Sequence, residues 1–226
     1  MNVLVFASRK GGSGKSTLAA HLAAQASKPS RPTVLVDADP QGSLSLWHEV
    51  RGQTELALRR GTRNVGSTLA AAEDEGYSWA FIDTPPTSSA AVVDAIRHAT
   101  LVVIPTRPNF FDLAAVHDTI EIAREHRKPY AVVVNAAPPK RDGVQSAAVA
   151  LARQGLEDLQ VPIWSGQITN RSDFAVALRL GKGVREFDAG SLAASEMAQL
   201  WSAIERSVRS INGAYQNARA MHMVAA

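Results

Sequence analysis

Residues 8–17 hold the clearest chemical signal in this 226-residue chain, because they read SRKGGSGKST. They lie between a short apolar segment, residues 3–7, and a helix-like segment, residues 18–26, so a glycine-rich loop is predicted to join a strand to a helix. Glycines permit positive φ and let backbone N–H groups turn toward a polyanion, and the helix adds its positive N-terminal end. The segment therefore predicts a phosphate-binding loop for a nucleoside triphosphate, although a solvated turn has a similar composition.

Two lysines and a hydroxyl are the reactive side chains of this loop. Lys15 is placed to contact the β and γ phosphates, and the Ser16 hydroxyl is placed to ligate Mg²⁺. The strict pattern G-x-x-x-x-G-K-[ST] is not met, because Arg9 occupies the position of its first glycine. Lys10 follows, and by residue type alone it could be a solvated loop charge. The predicted nucleotide-binding residues of the loop are Lys10, Gly11, Gly12, Ser13, Gly14, Lys15, Ser16 and Thr17.

Polar residues also follow three further strand-like segments. Asp37 and Asp39 follow one such segment, Asp83 ends the next, and Asn135 ends a third. A nucleotide hydrolase needs one carboxylate that positions the attacking water and another that holds the hydration shell of magnesium. Turn and strand-end roles are the alternatives for these residues.

Apolar runs alternate with longer helix-like segments along the chain. Near-continuous apolar strands separated by helices predict a parallel sheet covered on both faces, with ligands at the carboxyl ends of the strands. We therefore predict an α/β fold of the P-loop NTPase type, in which a single domain, residues 1–210, holds a mostly parallel twisted sheet with helices on both faces. A tail, residues 211–226, follows. The predicted strands are residues 3–7, 33–37, 79–83, 101–105, 130–135 and 161–164, and the predicted helices are residues 18–26, 44–58, 113–126, 144–159 and 192–210.

The composition of the chain excludes several classes of protein. The chain has no cysteine, which excludes disulfides, thiolate metal sites and iron–sulfur clusters. It has no apolar run of about 18 residues that would span a bilayer, and its first apolar segment is too short for a signal peptide. We therefore expect a cytoplasmic protein. The net charge of +3 permits a polyanionic partner without establishing one.

The run KGGSGKS, residues 10–16, resembles the deviant Walker A box of the ParA/MinD superfamily of P-loop ATPases. The resemblance implies that Lys10 reaches across a nucleotide-sandwich dimer to the phosphates of the partner subunit, so that ATP binding and homodimer formation are one event. Residues 37–42, DADPQG, resemble the switch I motif of the family. This likeness implies that Asp39 positions the attacking water and that Asp37 supports the magnesium ion.

Other segments also resemble parts of this superfamily. Asp83 lies in the run FIDTPP, which has the form of a Walker B strand leading into switch II and implies that Asp83 accepts hydrogen bonds from magnesium-bound water. By the same resemblance, Asn135 contacts adenine. Residues 105–113, PTRPNFFDL, are similar to the segment that lines the family's dimer face, where Phe110 and Phe111 would pack either across the interface or in the core.

The resemblance and the short chain together imply a ParA-type partition ATPase with ATP/ADP and Mg²⁺ as cofactors. In such proteins ATP closes the homodimer, the dimer binds non-specific DNA of the nucleoid, and a ParB-like or cargo-adaptor protein stimulates hydrolysis. The cargo is a plasmid, a chromosome or a protein assembly. Basic residues near the end of the chain are the implied DNA contacts, and a solvated basic face is the alternative. These residues are Arg179, Lys182, Arg185, Arg206 and Arg209.

Three other functions are alternatives to this one. A MinD-like membrane-cycling ATPase would end in a basic amphipathic helix, and residues 211–226 contain one arginine, Arg219, so no stable membrane association is expected. A carboxylate-activating enzyme similar to cobyrinate diamide synthase would need a further substrate pocket or domain, and Lys10 argues against it. A bacterial tyrosine kinase would need a C-terminal tyrosine cluster, where this chain has only Tyr215.

Overall fold

The computed structural model describes residues 1–52, 55–61, 64–87 and 89–224, with side chains up to residue 217. These ranges contain six strands and nine helices. The strands are β1 (Asn2–Phe6), β2 (Thr33–Asp37), β3 (Leu56–Arg60), β4 (Trp79–Asp83), β5 (Leu101–Thr106) and β6 (Tyr130–Val134). The helices are α1 (Lys15–Ala26), α2 (Ser43–Arg51), α3 (Val65–Asp74), α4 (Ala90–His98), α5 (Phe110–Glu125), α6 (Ala147–Asp158), α7 (Ser172–Arg179), α8 (Val184–Phe187) and α9 (Leu192–Val224).

The six strands form one sheet in the order β3-β2-β4-β1-β5-β6, and every neighbouring pair is parallel. Successive side chains of a strand point to opposite faces. Leu4 and Phe6 therefore pack in the apolar layer that contains α1 and α9, whereas Val3 and Val5 pack in the layer that contains α4 and α5. The inner strands are apolar at nearly every position because both faces are covered. This confirms the predicted α/β fold of the P-loop NTPase type.

The predicted helix 44–58 is wrong in its second half. Helix α2 ends at Arg51, and Gly52, with a φ of 74°, closes it by donating its N–H to carbonyls of the last turn. The chain then enters β3, which pairs in parallel with β2, while residues 53–54 lie outside the described ranges. The apolar spacing of this segment fits a helix or a short strand equally well. Residues 56–60 form a strand because they pair with the free edge of β2.

The predicted strand 161–164 is also wrong, because it is reduced to a single parallel bridge between Ile163 and Val132. Val132 donates its N–H to the carbonyl of Pro162 at 2.8 Å, and Trp164 donates to the carbonyl of Val132 at 2.9 Å. Proline has no N–H to donate to a ladder. The segment therefore contacts β6 without becoming a seventh strand of the described sheet.

Helix α9 does not end near residue 210, where the sequence analysis predicts its end, but continues to Val224. Ile211 packs against the apolar layer of α1, and Asn212 donates to Asn2 at 2.9 Å, so the first turn beyond residue 210 is held by the body of the protein. The side chain of Arg219 lies outside the described part. Within the described residues, no helix has the length and apolar character needed to cross a membrane. Helices α3, α4, α7 and α8 are additions to the predicted elements.

Candidate nucleotide-binding site

The parallel sheet brings the predicted site residues to one edge. The glycine loop follows β1, Asp37 ends β2, Asp83 ends β4, and Asn135 follows β6. Asp83 is in register with Asp37 on one side and with Phe6 on the other. All these residues therefore lie at the carboxyl ends of neighbouring strands, where ligands of parallel sheets bind.

The glycine loop is held against the end of β6. Gly14 has a φ of 99° and caps α1, and a Cβ at this position would lie 2.0 Å from the Nδ2 atom of Asn135. Asn135 donates that same amide group to the carbonyl of Ser13 at 2.7 Å. Gly14 is therefore required both by its backbone conformation and by the close approach of Asn135. This loop contact is an addition to the predicted contact of Asn135 with adenine, which stays a prediction.

The two lysines of the loop have different surroundings. Lys15 is buried, with 6% of its surface exposed, and its Nζ lies 3.5 Å from the carbonyl of Lys10. Burial lowers the pKa of Lys15, and the charges of Asp83 and Asp39 oppose that shift. Lys10 is half-buried and forms no ion pair within the described residues. Arg9, which replaces the first glycine of the strict pattern, pairs instead with Asp118 on α5.

Ser16 and Asp83 form the pair that best fits a divalent cation. Ser16 donates its hydroxyl to Oδ2 of Asp83 at 2.5 Å, and Oδ1 of Asp83 has no hydrogen-bond partner among the described residues although the side chain is fully buried. Burial raises the pKa of Asp83 to about 7, against the effects of Ser16 and Lys15. A carboxylate oxygen without a partner beside a hydroxyl is a suitable donor set for Mg²⁺ or its bound water.

Asp37 is buried and bonded mainly within the protein. Its Oδ2 atom accepts from the N–H of Ser45 at 2.8 Å and from the Ser45 hydroxyl at 2.7 Å, and its Oδ1 atom accepts from the N–H of Asp39 at 3.3 Å. Asp37 therefore fixes the first turn of α2 and the loop before it. Ser45 is not among the residues predicted from the sequence, where its signal is a serine in the first turn of the helix after the switch-like loop. Support of magnesium by Asp37 stays a prediction.

Asp39 and the glycine loop line one cleft of about 440 Å³. The Oδ1 atom of Asp39 accepts from the N–H of Gln41 at 2.9 Å, which is an Asx turn and holds the carboxylate in one orientation. The geometry thus brings a carboxylate, a buried lysine and a hydroxyl into one cleft. The residues of the predicted site that line it are Gly11, Gly12, Gly14, Lys15, Ser16, Thr17 and Asp39.

Arg107 is a residue at this edge that sequence reasoning did not identify. It follows β5, and its Nη1 atom lies 3.8 Å from the position that a Cβ of Gly12 would occupy. Its signal in the sequence is a basic residue directly after a predicted strand and five residues before Asp112. The same segment presents Phe110 and Phe111, which are 78% and 74% exposed, so neither packs in the core of this chain.

The predicted DNA contacts do not all lie together. Arg179, Lys182 and Arg185 are exposed on residues 179–185, around the end of α7 and on α8. Arg185 lines a cavity of about 680 Å³ with Lys28, which the sequence analysis does not identify. By contrast, Arg206 lines another cavity, between α9 and residues 162–165. The five predicted side chains, which also include Arg209, are all exposed and form no ion pair within the described residues.

A family model described as the CobQ/CobB/MinD/ParA nucleotide binding domain matches residues 4–218. The chain belongs to this family. Among its relatives, the maintenance of carboxysome distribution protein A of Gloeobacter kilaueensis is 40% identical over 116 residues, which are 50% of this chain and 53% of that protein. The protein of the same name from Halothiobacillus neapolitanus is 29% identical over 87% of this chain and 93% of its own length.

Solved structures of this family share the fold. The ATP complex of Cyanothece McdA(D38A) has a TM-score of 0.74 with this chain at 19% identity, over 92% of this chain and 96% of that one. The chain spans about half the length of the Gloeobacter relative that it matches, 53%. Family membership therefore establishes a ParA/MinD-type nucleotide-binding fold for this chain.

Proposed function

We propose that this protein is a ParA-type positioning ATPase that hydrolyses ATP with Mg²⁺. The observation that carries the proposal is the convergence of the glycine loop, buried Lys15, Ser16 and Asp83 at one sheet edge, with Asp39 in the same cleft. The names of the relatives, which include a chromosome-partitioning ATPase Soj and a protein ParA, support this function over other nucleotide-dependent activities.

Each residue of the site has a different role in ATP hydrolysis. Ser16 and Asp83 would hold Mg²⁺, which supplies positive charge to the phosphates when it is bound. Lys15 neutralises charge on the β and γ phosphates, and the N–H groups of the glycine loop cradle them. Asp39 accepts a proton from the attacking water and orients it toward the γ-phosphate. Its Asx turn with Gln41, which also lines the cleft, fixes the orientation of the carboxylate.

The role of Asp39 is tested by Asp39→Ala with Asp74→Ala as its control. Asp74 is an exposed carboxylate at the end of α3 and lies outside the site. We expect Asp39→Ala to bind ATP normally and to lose turnover by about 100-fold or more, as for the removal of a general base. Turnover is measured as phosphate release and binding by titration. If Asp39→Ala keeps wild-type turnover, another group positions the water.

ATP binding is proposed to close a homodimer. Two features support this step. Lys10 is half-buried without an ion pair among the described residues, so it is available to a partner subunit. Phe110 and Phe111, in the first turn of α5, expose most of their surfaces, and their rings pack edge to face 5.7 Å apart. Exposed aromatic pairs of this kind are common at protein–protein interfaces.

The ATP-bound dimer is further proposed to bind non-specific DNA of the nucleoid and to release it when a ParB-like or cargo-adaptor protein stimulates hydrolysis. The exposed basic residues around α7 and α8 support a phosphate-backbone contact, which would be insensitive to base sequence and weakened by salt. The positioning roles in the names of the relatives support a cargo-carrying function.

Co-sedimentation with DNA tests this function. The protein is mixed with ATP, ADP or no nucleotide at two salt concentrations, and unrelated DNA sequences and anionic vesicles are offered separately. We expect binding to DNA only with ATP, with equal affinity for each sequence and weaker binding at the higher salt. Binding to vesicles alone would favour a MinD-like membrane cycle. The absence of DNA binding in every state would contradict the DNA step while leaving the ATPase activity open.

A further inference from the structure

Arg107 lies beside the phosphate loop of its own chain. The residue directly follows β5, which neighbours β1, and the loop follows β1. Its Nη1 atom lies 3.8 Å from the place of a Cβ at Gly12, and Gly12 has a φ of 71°. A guanidinium group therefore stands against the middle of a loop whose N–H groups are predicted to cradle phosphates.

The side chain of Arg107 is held in this place by a buried carboxylate. Arg107 donates Nε to Oδ1 of Asp112 at 2.9 Å and Nη2 to Oδ2 at 3.2 Å, while Asp112 is only 1% exposed. Asp112 is itself placed in the first turn of α5, where its N–H donates to the side-chain oxygen of Asn109 at 3.0 Å. Two parallel bonds fix the plane of the guanidinium group, so the orientation of its remaining edge is fixed as well.

The remaining edge of Arg107 is available to an anion. Nη1 has no acceptor among the described residues, and the side chain is 36% exposed. Asp112 accounts for the Nε and Nη2 donors, so Nη1 is the nitrogen of this guanidinium group that remains for another acceptor. An arginine with a free edge beside backbone N–H groups is an arrangement that suits phosphate oxygens.

We propose that Arg107 is a nucleotide-binding residue that donates Nη1 to a phosphate oxygen of ATP or ADP held by the same chain. Gly12 lies in the middle of the loop, where backbone N–H groups contact the α and β phosphates. These phosphates are present in both nucleotides, so Arg107 strengthens the binding of both. The inference rests on the proposed function for its ligand, and it adds a third cation to Lys10 and Lys15.

The test compares Asp112→Asn with the double variant Arg107→Gln/Asp112→Asn. Both variants lack the buried carboxylate charge, so they differ only in the Arg107 cation. We expect the double variant to bind ATP and ADP about tenfold more weakly than Asp112→Asn, as for the loss of one charge-assisted hydrogen bond. Affinities are measured by calorimetric titration with Mg²⁺ after circular dichroism has verified folding. Arg97→Gln, at an exposed arginine in the last turn of α4, is the control and should bind like wild type.

A second measurement uses the unmodified protein. An arginine-specific dicarbonyl reagent is applied with and without nucleotide, and the modified residues are identified by mass spectrometry. We expect ATP and ADP each to slow modification of Arg107 and to leave that of Arg97 unchanged. Equal affinities in the two variants, or an unchanged rate at Arg107, would overturn the inference. A loss confined to ATP would overturn the assignment to a phosphate that both nucleotides share. If wild type binds no nucleotide, the proposed function itself fails.

Discussion

At the scale of single residues, two buried titratable groups respond to pH in opposite directions. Burial raises the pKa of Asp83 to about 7 and lowers the pKa of His21 to about 4. A carboxyl group whose pKa is raised by folding stabilises the protein at low pH, and this contribution is lost as the pH rises through about 7. A histidine whose pKa is lowered by folding stabilises the protein above its unfolded pKa of about 6.5, and this contribution is lost as the pH falls toward 4. Between pH 4 and 6.5 the two effects oppose each other.

Asp83→Asn separates these effects. We expect the variant without nucleotide to be more stable than wild type at pH 8, by roughly 1 kcal/mol or more, because it removes a buried charge that Ser16 and Lys15 compensate only in part. At pH 5 the gain should be smaller than at pH 8, because Asp83 is then protonated in the folded protein and ionisation in the unfolded state favours unfolding less than it does at pH 8. Urea unfolding at the two pH values measures the difference. Asp74→Asn, at an exposed carboxylate, should show no such change between pH values, and a constant difference for Asp83→Asn would contradict the raised pKa.

Substitution of the two loop lysines is predicted to impair different properties, ATP affinity for Lys15 and dimer formation for Lys10. Lys15→Ala should lower ATP affinity by about 100-fold or more, because a buried cation that faces the phosphates is lost. Lys10→Ala should keep ATP binding to the monomer and lose the ATP-dependent dimer. Titration calorimetry measures the first property and light scattering with ATP the second. A Lys10→Ala protein that dimerises normally with ATP would exclude the cross-subunit role.

At the scale of elements, the close packing of the loop against the end of β6 decides the shape of the site. Gly14 and Ser13 belong to the loop that joins β1 to α1, whereas Asn135 follows β6. The hydrogen bond from Asn135 to the carbonyl of Ser13 joins residues that are 122 positions apart in the chain. The glycine pattern alone predicts the loop. The partner that forbids a side chain at Gly14 is visible only when β5 and β6 are placed beside β1.

This packing predicts an interaction between two substitutions. Gly14→Ala should destabilise the protein by about 2–4 kcal/mol, because alanine is strained at positive φ and its Cβ would overlap the amide of Asn135. Asn135→Ala should cost about 1–3 kcal/mol, since the Ser13 carbonyl loses its donor. The double variant should lose less than the sum, because removal of the amide relieves the overlap. Chemical unfolding of wild type and the three variants measures the four free energies of unfolding. Strict additivity would show that a Cβ at position 14 does not overlap the amide of Asn135.

The predicted elements are confirmed where an apolar run is nearly continuous and has clear breaks on both sides. The strands β1, β2, β4, β5 and β6 and the helix α1 follow from apolar runs and their breaks. The sequence does not distinguish the edge strand β3 from a helix, or the bridge at Ile163 from a full strand. Short apolar segments fit more than one structure, and pairing with neighbouring strands determines which one forms. Polar caps also moved boundaries: Asn109 accepts the N–H of Asp112, and α5 therefore begins at Phe110 instead of residue 113.

At the scale of the whole molecule, the basic residues predicted to bind DNA lie in two separate places, around α7 and α8 and along α9. Arg179, Lys182 and Arg185 lie within residues 179–185, and Arg206 lines a different cavity on α9. A protein that binds duplex DNA contacts the phosphates of the DNA along one continuous surface. The α7–α8 region is therefore the surface on which we expect several contacts at once.

A variant with glutamine at positions 179, 182 and 185 tests this surface against Arg206→Gln. We expect the triple variant to weaken DNA binding equally for all sequences and to reduce the salt slope by about 0.9 for each lost phosphate contact. Arg206→Gln should have a smaller effect because it acts at a separate place. Gel shifts at several salt concentrations with ATP measure both slopes. Equal slopes for wild type and the triple variant would show that the basic residues are merely solvated.

The sequence by itself determined the glycine loop, its two lysines and the polar residues at strand ends, because local residue types and apolar periodicity act over short stretches. Only the tertiary structure decided that Asn135 clamps the loop, that Ser45 binds Asp37, and that Arg107 stands beside Gly12. Each of these contacts joins residues whose relation depends on strand order or on a side-chain approach of a few ångströms. Such distances follow from packing and have no local signature in the chain.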